Sequence, residues 1–425
     1  MSNQEYDIII IGSGIAGLYS AYKIKQFNPA LSVLILEKNK KQWIGGRTSN
    51  ESFYGTDVVT AAGIGRKNKD HLLVRLLKDL DMPYHEFTSS SHYVTPFQPT
   101  NINETIRMLK KEYKEDKEDK EDKEDTTNKS TTFKEFATNH LGAKKYKEFI
   151  ITSGYTDYEK EDAFDTLYNY GMDDNAGNLI GLSISWKELV AKLIHKIGSQ
   201  NIKASQNVVK IDKVTDEKGC FFEVETKKNI IYKCNKIIIA TTISSLQNLL
   251  PSKSSIYKQI HAQPFLRLYA KFSKSSTEIM KQYVKGYTVV EGPLQKIIPM
   301  DPNKGVYMIA YSDNASAIIL KDHLENILEN RSYFEDLLEQ ALGIEEGLLK
   351  INALLDFYWT EGTHYYEPLK GPYKNRTAFI NAAQHPDKNI LVVGEVISQH
   401  QGWVEGALES VESVLNKKWL TNKTC

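Results

Sequence analysis

The sequence is poor in cysteine, arginine and long apolar runs. Among 425 residues only Cys220, Cys234 and Cys425 are cysteines. Three is odd and sparse, so no disulfide framework is expected and a reducing compartment fits. No Cys-x-x-Cys or His-x-x-x-His pair offers a metal site, and the ten histidines are scattered. No stretch of about 18 apolar residues exists, which excludes a membrane span at the usual threshold. The polar start Met1–Tyr6 and the short run Ile8–Ile11 do not make a signal segment, so a cytoplasmic location is expected. Charge of one sign is also missing. Fifty-four basic residues meet 54 acidic ones, so the net charge is zero. A nucleic-acid partner, which asks for a basic excess, is therefore not expected.

What is present suffices for a large core. Hydrophobic residues make up 41% of the chain, and its length exceeds the roughly 250–300 residues at which one core stops growing, so two domains are expected. Tyr6–Ile11 is a continuous apolar run with the look of a strand buried on both faces. G-S-G-I-A-G follows, then a helical pattern that Asn28-Pro29 stops, then a second apolar strand, Leu31–Leu36, closed by Glu37. This β-turn-α-β unit has the spacing of a dinucleotide-binding fold. Gly12 permits the tight turn, Gly14 lets a pyrophosphate approach the backbone, and Gly17 lets helix and strand pack closely. The helix then offers its first free N–H groups, those of Ile15 and Ala16 among them, to phosphate. Glu37, 20 residues beyond Gly17, stands where a carboxylate can accept both ribose hydroxyls.

A second glycine motif, I-G-G-R-T at Ile44–Thr48, lies just beyond. Gly45 and Gly46 let backbone approach a flat ligand, and Arg47 can neutralise pyrophosphate. G-S-G-I-A-G-L, then Glu37-Lys38, then G-G-R together resemble the flavin-containing amine oxidase superfamily, which includes monoamine, polyamine and L-amino-acid oxidases, protoporphyrinogen oxidase and phytoene desaturases. The C-terminal part is similar independently. I-L-V-V-G-E-V, Ile390–Val396, and Q-G-W-V-E-G-A-L-E-S, Gln401–Ser410, resemble the family's closing signature. By that resemblance Gly394 and Glu395 lie near the pyrophosphate and ribityl chain. Gly402, Trp403 and Val404 then face the flavin's pyrimidine edge. Ala61–Arg66, with Gly63 and Ile64, resembles the loop beneath the flavin. Val208–Ile211, with Val209, matches the strand that touches adenine, and Ile237–Thr242 matches a return strand.

The resemblance also implies a substrate pocket. The family's Lys beside the flavin falls in Pro264–Phe272, where this chain has Arg267, a departure that replaces a point charge by a fixed fork. Trp359–Pro368 resembles the segment that supplies one wall of an aromatic cage, by Tyr365 or Tyr366, with Trp403 as the other wall. No cysteine lies there, so FAD is expected to be bound non-covalently.

The expected fold is α/β: a discontinuous Rossmann-type FAD-binding domain (1–82, 183–258, 380–425) and a mixed-sheet α+β substrate domain (83–182, 259–379). The charged repeat at 112–132 reads as a solvated insert. The implied activity is oxidation of a small-molecule amine by hydride transfer to flavin, with dioxygen as acceptor. The alternatives are a desaturase, isomerase or porphyrinogen oxidase of the same superfamily, or a catalytically silent flavin-binding protein.

Overall fold

The structure is a computed structural model and describes residues 5–88, 90–94, 97–121, 130–172, 179–217 and 219–422, with the side chains of 117–121 and Ser254 left aside. Two sheets organise it. The first has seven strands, in the order Val208–Asp216, Gly219–Thr226, Ile231–Ile239, Glu5–Ile11, Val33–Leu36 and Ile202–Lys203, with Ile390–Val392 paired to the far end of Ile231–Ile239. Glu5–Ile11 runs parallel to both neighbours: Ile9 faces Ile237 on one side and Leu34 on the other. Apolar side chains alternate to both faces, which is why the run is unbroken. Ile8 and Ile10 enter the core beneath the Ile15–Phe27 helix, whereas Ile9 and Ile11 enter the core on the opposite face.

The second sheet has six strands: Ile351–Tyr366, Ile260–Phe272, Val306–Asp313, Lys296–Asp301, Tyr287–Val289 and Ser91–Tyr93. Its second strand, Ile260–Phe272, carries Arg267 opposite Tyr311 on one neighbour and Phe357 on the other. Beyond it, helices Ile102–Glu121, Phe133–Leu141, Ala143–Ser153 and Ala163–Tyr168 share a separate small core around Phe133, Phe149 and Tyr158.

Several stretches are divided between two elements. Residues 133–150 form two helices, because Gly142 turns the backbone to φ +77°. Lys321–His323 forms a short 3-10 turn, and helix Leu328–Leu342 follows it. Tyr287–Val289 and Lys296–Asp301 are two separate strands. The C-terminal helix is split into Val404–Glu412 and Lys417–Thr421, the latter capped by the Asn416 side chain. The charged repeat begins as the continuation of the Ile102–Glu121 helix, and 122–129 lie outside the described residues. Residues 173–178 likewise lie outside them, and Ile180–Ile184 is a strand. Cys234 is a buried free thiol, whereas Cys220 is disulfide-bonded, which departs from the reducing compartment that the sparse cysteines suggested. No helix among the described residues is long and apolar enough to cross a membrane.

Candidate functional site

A cavity of about 1120 Å³ runs from the first sheet to the second. At its first end the chain turns at Gly12, whose φ of +102° and 2.3 Å approach of a Cβ to the Ala240 carbonyl oxygen leave room only for glycine. Gly17 is equally constrained: a Cβ there would lie 2.1 Å from the Gly12 carbonyl oxygen. Gly14 differs. A Cβ on it meets nothing within 4 Å, and the residue lines the cavity. Gly14 also N-caps the Ile15–Phe27 helix without any side-chain hydrogen bond, so the helix N-terminus is presented to the cavity.

Glu37 ends its strand on the same wall and is 6% exposed. Its Oε2 accepts from the Ser13 N–H at 3.0 Å and the Ser13 hydroxyl at 2.7 Å, and its Oε1 accepts from the Asn39 N–H at 2.8 Å. Lys38 lines the cavity beside it. The second glycine motif docks on the first: the Gly45 N–H donates to the Ser13 carbonyl at 2.9 Å, and both Gly45 and Gly46 have positive φ. This cradle of bare backbone, a free helix N-terminus and a strand-end carboxylate fits a dinucleotide.

Midway along the cavity Arg47 donates to the Gly362 carbonyl at 2.6 Å and to Glu395 Oε2 at 3.2 Å. Glu395 also accepts from His364 Nδ1 at 2.6 Å, the His364 N–H at 2.9 Å and the Gly402 N–H at 2.8 Å. Burial alone would raise this carboxyl, but His364 and Arg47 outweigh it and hold Glu395 at about 2. Gly394 at φ +122° and Gly402 at φ +81° shape the loop around it.

Trp403 N-caps the Val404–Glu412 helix and lines the cavity. One face of its ring is covered by the Arg66 guanidinium, 3.7 Å from the centroid, and Arg66 is itself paired to Asp70 at 2.6 Å. Two residues of the closing signature turn out to serve packing. Glu405 accepts from the Leu72 and Leu73 N–H groups at 2.8 and 2.9 Å, at the start of helix His71–Asp79. Gly406 lies so close to the His400 carbonyl that a Cβ would come within 1.9 Å of it.

The far end is polar and aromatic. Arg267 is 5% exposed and lines the cavity. Its Nη2 donates to the Ala61 carbonyl at 3.3 Å, and its guanidinium carbon lies 3.4 Å from the Tyr311 ring centroid and 4.5 Å from that of Phe265. Lys296 is fully buried behind it, donating to the Gly154 carbonyl at 2.5 Å and lying 4.0 Å from the Tyr311 ring centroid. Burial, opposed by Asp313 and reinforced by Arg267, holds the Lys296 ammonium well below its usual range. Burial and the neighbouring Asp313 push the Asp157 carboxyl up to about 7.

The structure brings most of the sequence-read positions to this one cavity. Gly12, Gly14, Ile15, Ala16, Glu37, Lys38, Gly45, Gly46, Arg47, Gly63, Ile64, Arg267, Gly394, Glu395, Gly402, Trp403 and Val404 all line it. Gly17 stands behind the turn. Three further positions do not reach the cavity either. Val209 is 46% exposed, because an irregularity in strand pairing after Val208 turns it outward, and Val208 takes the lining position. Tyr366 is buried beyond the cavity, its hydroxyl donating to the Ser398 carbonyl at 2.9 Å. Tyr365 packs on His261 on the other side of the strand. Both follow Thr363, where the strand leaves the cavity. The aromatic lining in this strand is instead Tyr358 and Trp359, the latter donating from Nε1 to the Thr60 carbonyl at 2.9 Å. Tyr155, Asp157, Tyr287, Tyr311 and Asp313 also line the cavity. They come from distant segments, and no local motif announces them. Among the described residues no group of His, Cys, Asp and Glu could hold a metal ion.

Comparison with known proteins agrees with this architecture. The chain is 21% identical over 496 residues to Uncharacterized protein R188 of Acanthamoeba polyphaga mimivirus, covering 97% of this chain and 94% of that one. Its fold is similar to solved structures of putrescine oxidase: wild type bound to putrescine and a triple cofactor-binding redesign each match with TM-score 0.71 at 14% identity, covering 96% of this chain and 98% of theirs. The model of the family described as flavin containing amine oxidoreductase matches residues 15–413. The chain therefore belongs to the flavin-containing amine oxidoreductase family, and its cofactor is a flavin.

Proposed function

We propose that this protein is an FAD-dependent oxidoreductase that oxidises a small-molecule amine, with FAD held non-covalently. The observation that carries the reading is one continuous cavity with a dinucleotide cradle at one end and a buried polar pocket at the other. Gly12–Gly17 with the helix N-terminus, Gly45–Arg47 and Glu37 would hold the pyrophosphate and ribose, and Glu395, Gly402, Trp403 and Val404 would border the flavin. Bound there, FAD would supply the redox chemistry, accepting two electrons from a neutral amine for return to dioxygen as hydrogen peroxide.

The residues have binding and ordering roles. Trp403 offers its one uncovered face to substrate, because Arg66 occupies the other. Glu395 stays ionised and fixes Arg47 and the Gly402 loop. The two sheets divide the work, the first with 1–82, 183–258 and 380–425 on the cofactor side and the second with 83–182 and 259–379 on the substrate side. A desaturase would want an apolar tunnel, whereas Arg267, Asp157 and Asp313 line the pocket here.

The purified protein is expected to be yellow and to release its flavin into the supernatant on acid precipitation. With amines it is expected to consume dioxygen and form equal amounts of peroxide. Colour that stays with the pellet contradicts non-covalent binding, and absence of turnover with every amine contradicts the oxidase reading.

A further inference from the structure

Arg267 is a buried cation without a carboxylate partner among the described residues. Its Nε and Nη1 are completely buried and make no hydrogen bond among the described residues, and no ion pair reaches it. A guanidinium keeps its charge throughout the physiological range and is costly to bury unpaired. Its plane is fixed by Tyr311 and Phe265, and the one bond from Nη2 to Ala61 fixes its rotation. The nearby acids do not relieve it. Both oxygens of Asp313 already accept from Thr156, and one also accepts from Gln295 Nε2 at 3.1 Å. Asp157 accepts from the Tyr170 hydroxyl. Lys296, behind Tyr311, adds a second basic group. Three guanidinium hydrogens, one on Nε and two on Nη1, therefore have no acceptor among the described residues, and Nη1 with the second hydrogen of Nη2 makes the end-on pair that a carboxylate accepts.

We propose that Arg267 binds a carboxylate of the substrate, so that the amines oxidised are those that also carry a carboxylate, the amino-acid class. The inference rests on the reading of the cavity as an amine-oxidising site. A carboxylate would neutralise the guanidinium, whereas a simple diamine, its reacting nitrogen neutral, would still bring a second positive charge near it.

Benzoate and its uncharged isostere benzamide test this on the holoprotein by titration calorimetry, with no turnover needed. Benzoate is expected to bind at least about tenfold more tightly than benzamide, as charge-assisted hydrogen bonds to one guanidinium imply. Arg267→Met is expected to abolish the preference and Arg267→Lys to keep part of it, with flavin content reporting the fold of both. Equal affinity for the two probes, binding of neither, or a preference that survives in Arg267→Met overturns the proposal. The wild-type comparison decides even if both variants fail to fold. Flavin bleaching by amines, measured separately, keeps the two readings apart: bleaching without a carboxylate preference removes only this inference, and a preference without bleaching removes only the oxidase reading.

Discussion

At the scale of residues, the glycines of the first motif divide into two kinds. Gly17 is required by packing, since its hydrogen faces the Gly12 carbonyl, which belongs to the backbone and cannot move aside. Gly14 has ordinary dihedrals, φ −64° and ψ 174°, and nothing within 4 Å of a Cβ. Gly17→Ala is therefore expected to yield no soluble holoprotein. Gly14→Ala is expected to keep the melting temperature of the flavin-free protein while flavin content falls. An unfolded Gly14→Ala would show that this residue serves the fold after all. Glu37→Ala tests the ribose contact: loss of charge-assisted hydrogen bonds, each about 1.5–3 kcal/mol, should weaken FAD binding tenfold or more. Stoichiometric flavin retained through dialysis would contradict that role. Glu395 makes a pH prediction. Its folded value of about 2 lies below the ordinary 4.5, so its stabilisation is complete above the ordinary value and is lost as pH falls from there toward about 2. Glu395→Gln should melt well below wild type near neutral pH, and the gap should close through that window. A gap independent of pH would mean that the carboxylate charge is not what stabilises.

At the scale of elements, what the sequence pattern revealed and what it concealed have separate physical causes. The unbroken run Ile8–Ile11 could be read as a central parallel strand because both its faces are buried, and it pairs parallel on both sides. Glu37, Arg47 and Glu395 were legible because each sits at a fixed offset from a glycine turn. Tyr365 and Tyr366 were misplaced because the Ile351–Tyr366 strand is 16 residues long and its cavity-facing stretch ends at Thr363, a limit set by the neighbouring strand and not by any local signal. Val209 was misplaced by a pairing irregularity of one residue, enough to exchange the faces of a strand. Asp157, Tyr311 and Lys296 could not be seen at all, since only the second sheet and the helices beside it bring them together. The helix Ile102–Glu121 shows how an apolar stripe and a charged repeat share one element. Ile102, Ile106 and Leu109 are buried in the small helical core, whereas the Lys111–Glu115 pair is exposed. Leu109→Ala should cost about 2–4 kcal/mol in denaturant unfolding, and Lys111→Ala less than about 0.5 kcal/mol. Equal costs would mean that the charged face packs too.

At the scale of the whole molecule, two sheets meet across one cavity, and the chain crosses between them several times. The first sheet contributes backbone amides, glycine turns and a carboxylate, which suit phosphate and ribose. The second contributes a buried guanidinium, carboxyls and aromatic rings, which suit a small polar substrate. Arg47 ties the halves together, since it bonds at once to Gly362 of the second sheet and to Glu395 beyond the last strand of the first. The most direct measurement of the central claim is anaerobic mixing of the holoprotein with a panel of amines, with and without carboxylates, while the absorbance of oxidised flavin is followed. The account predicts that amines bleach the flavin, the carboxylate-bearing ones fastest, and that admitting dioxygen restores the colour. Flavin that stays oxidised with every amine, or that bleaches only with apolar polyenes or porphyrinogens, would contradict it.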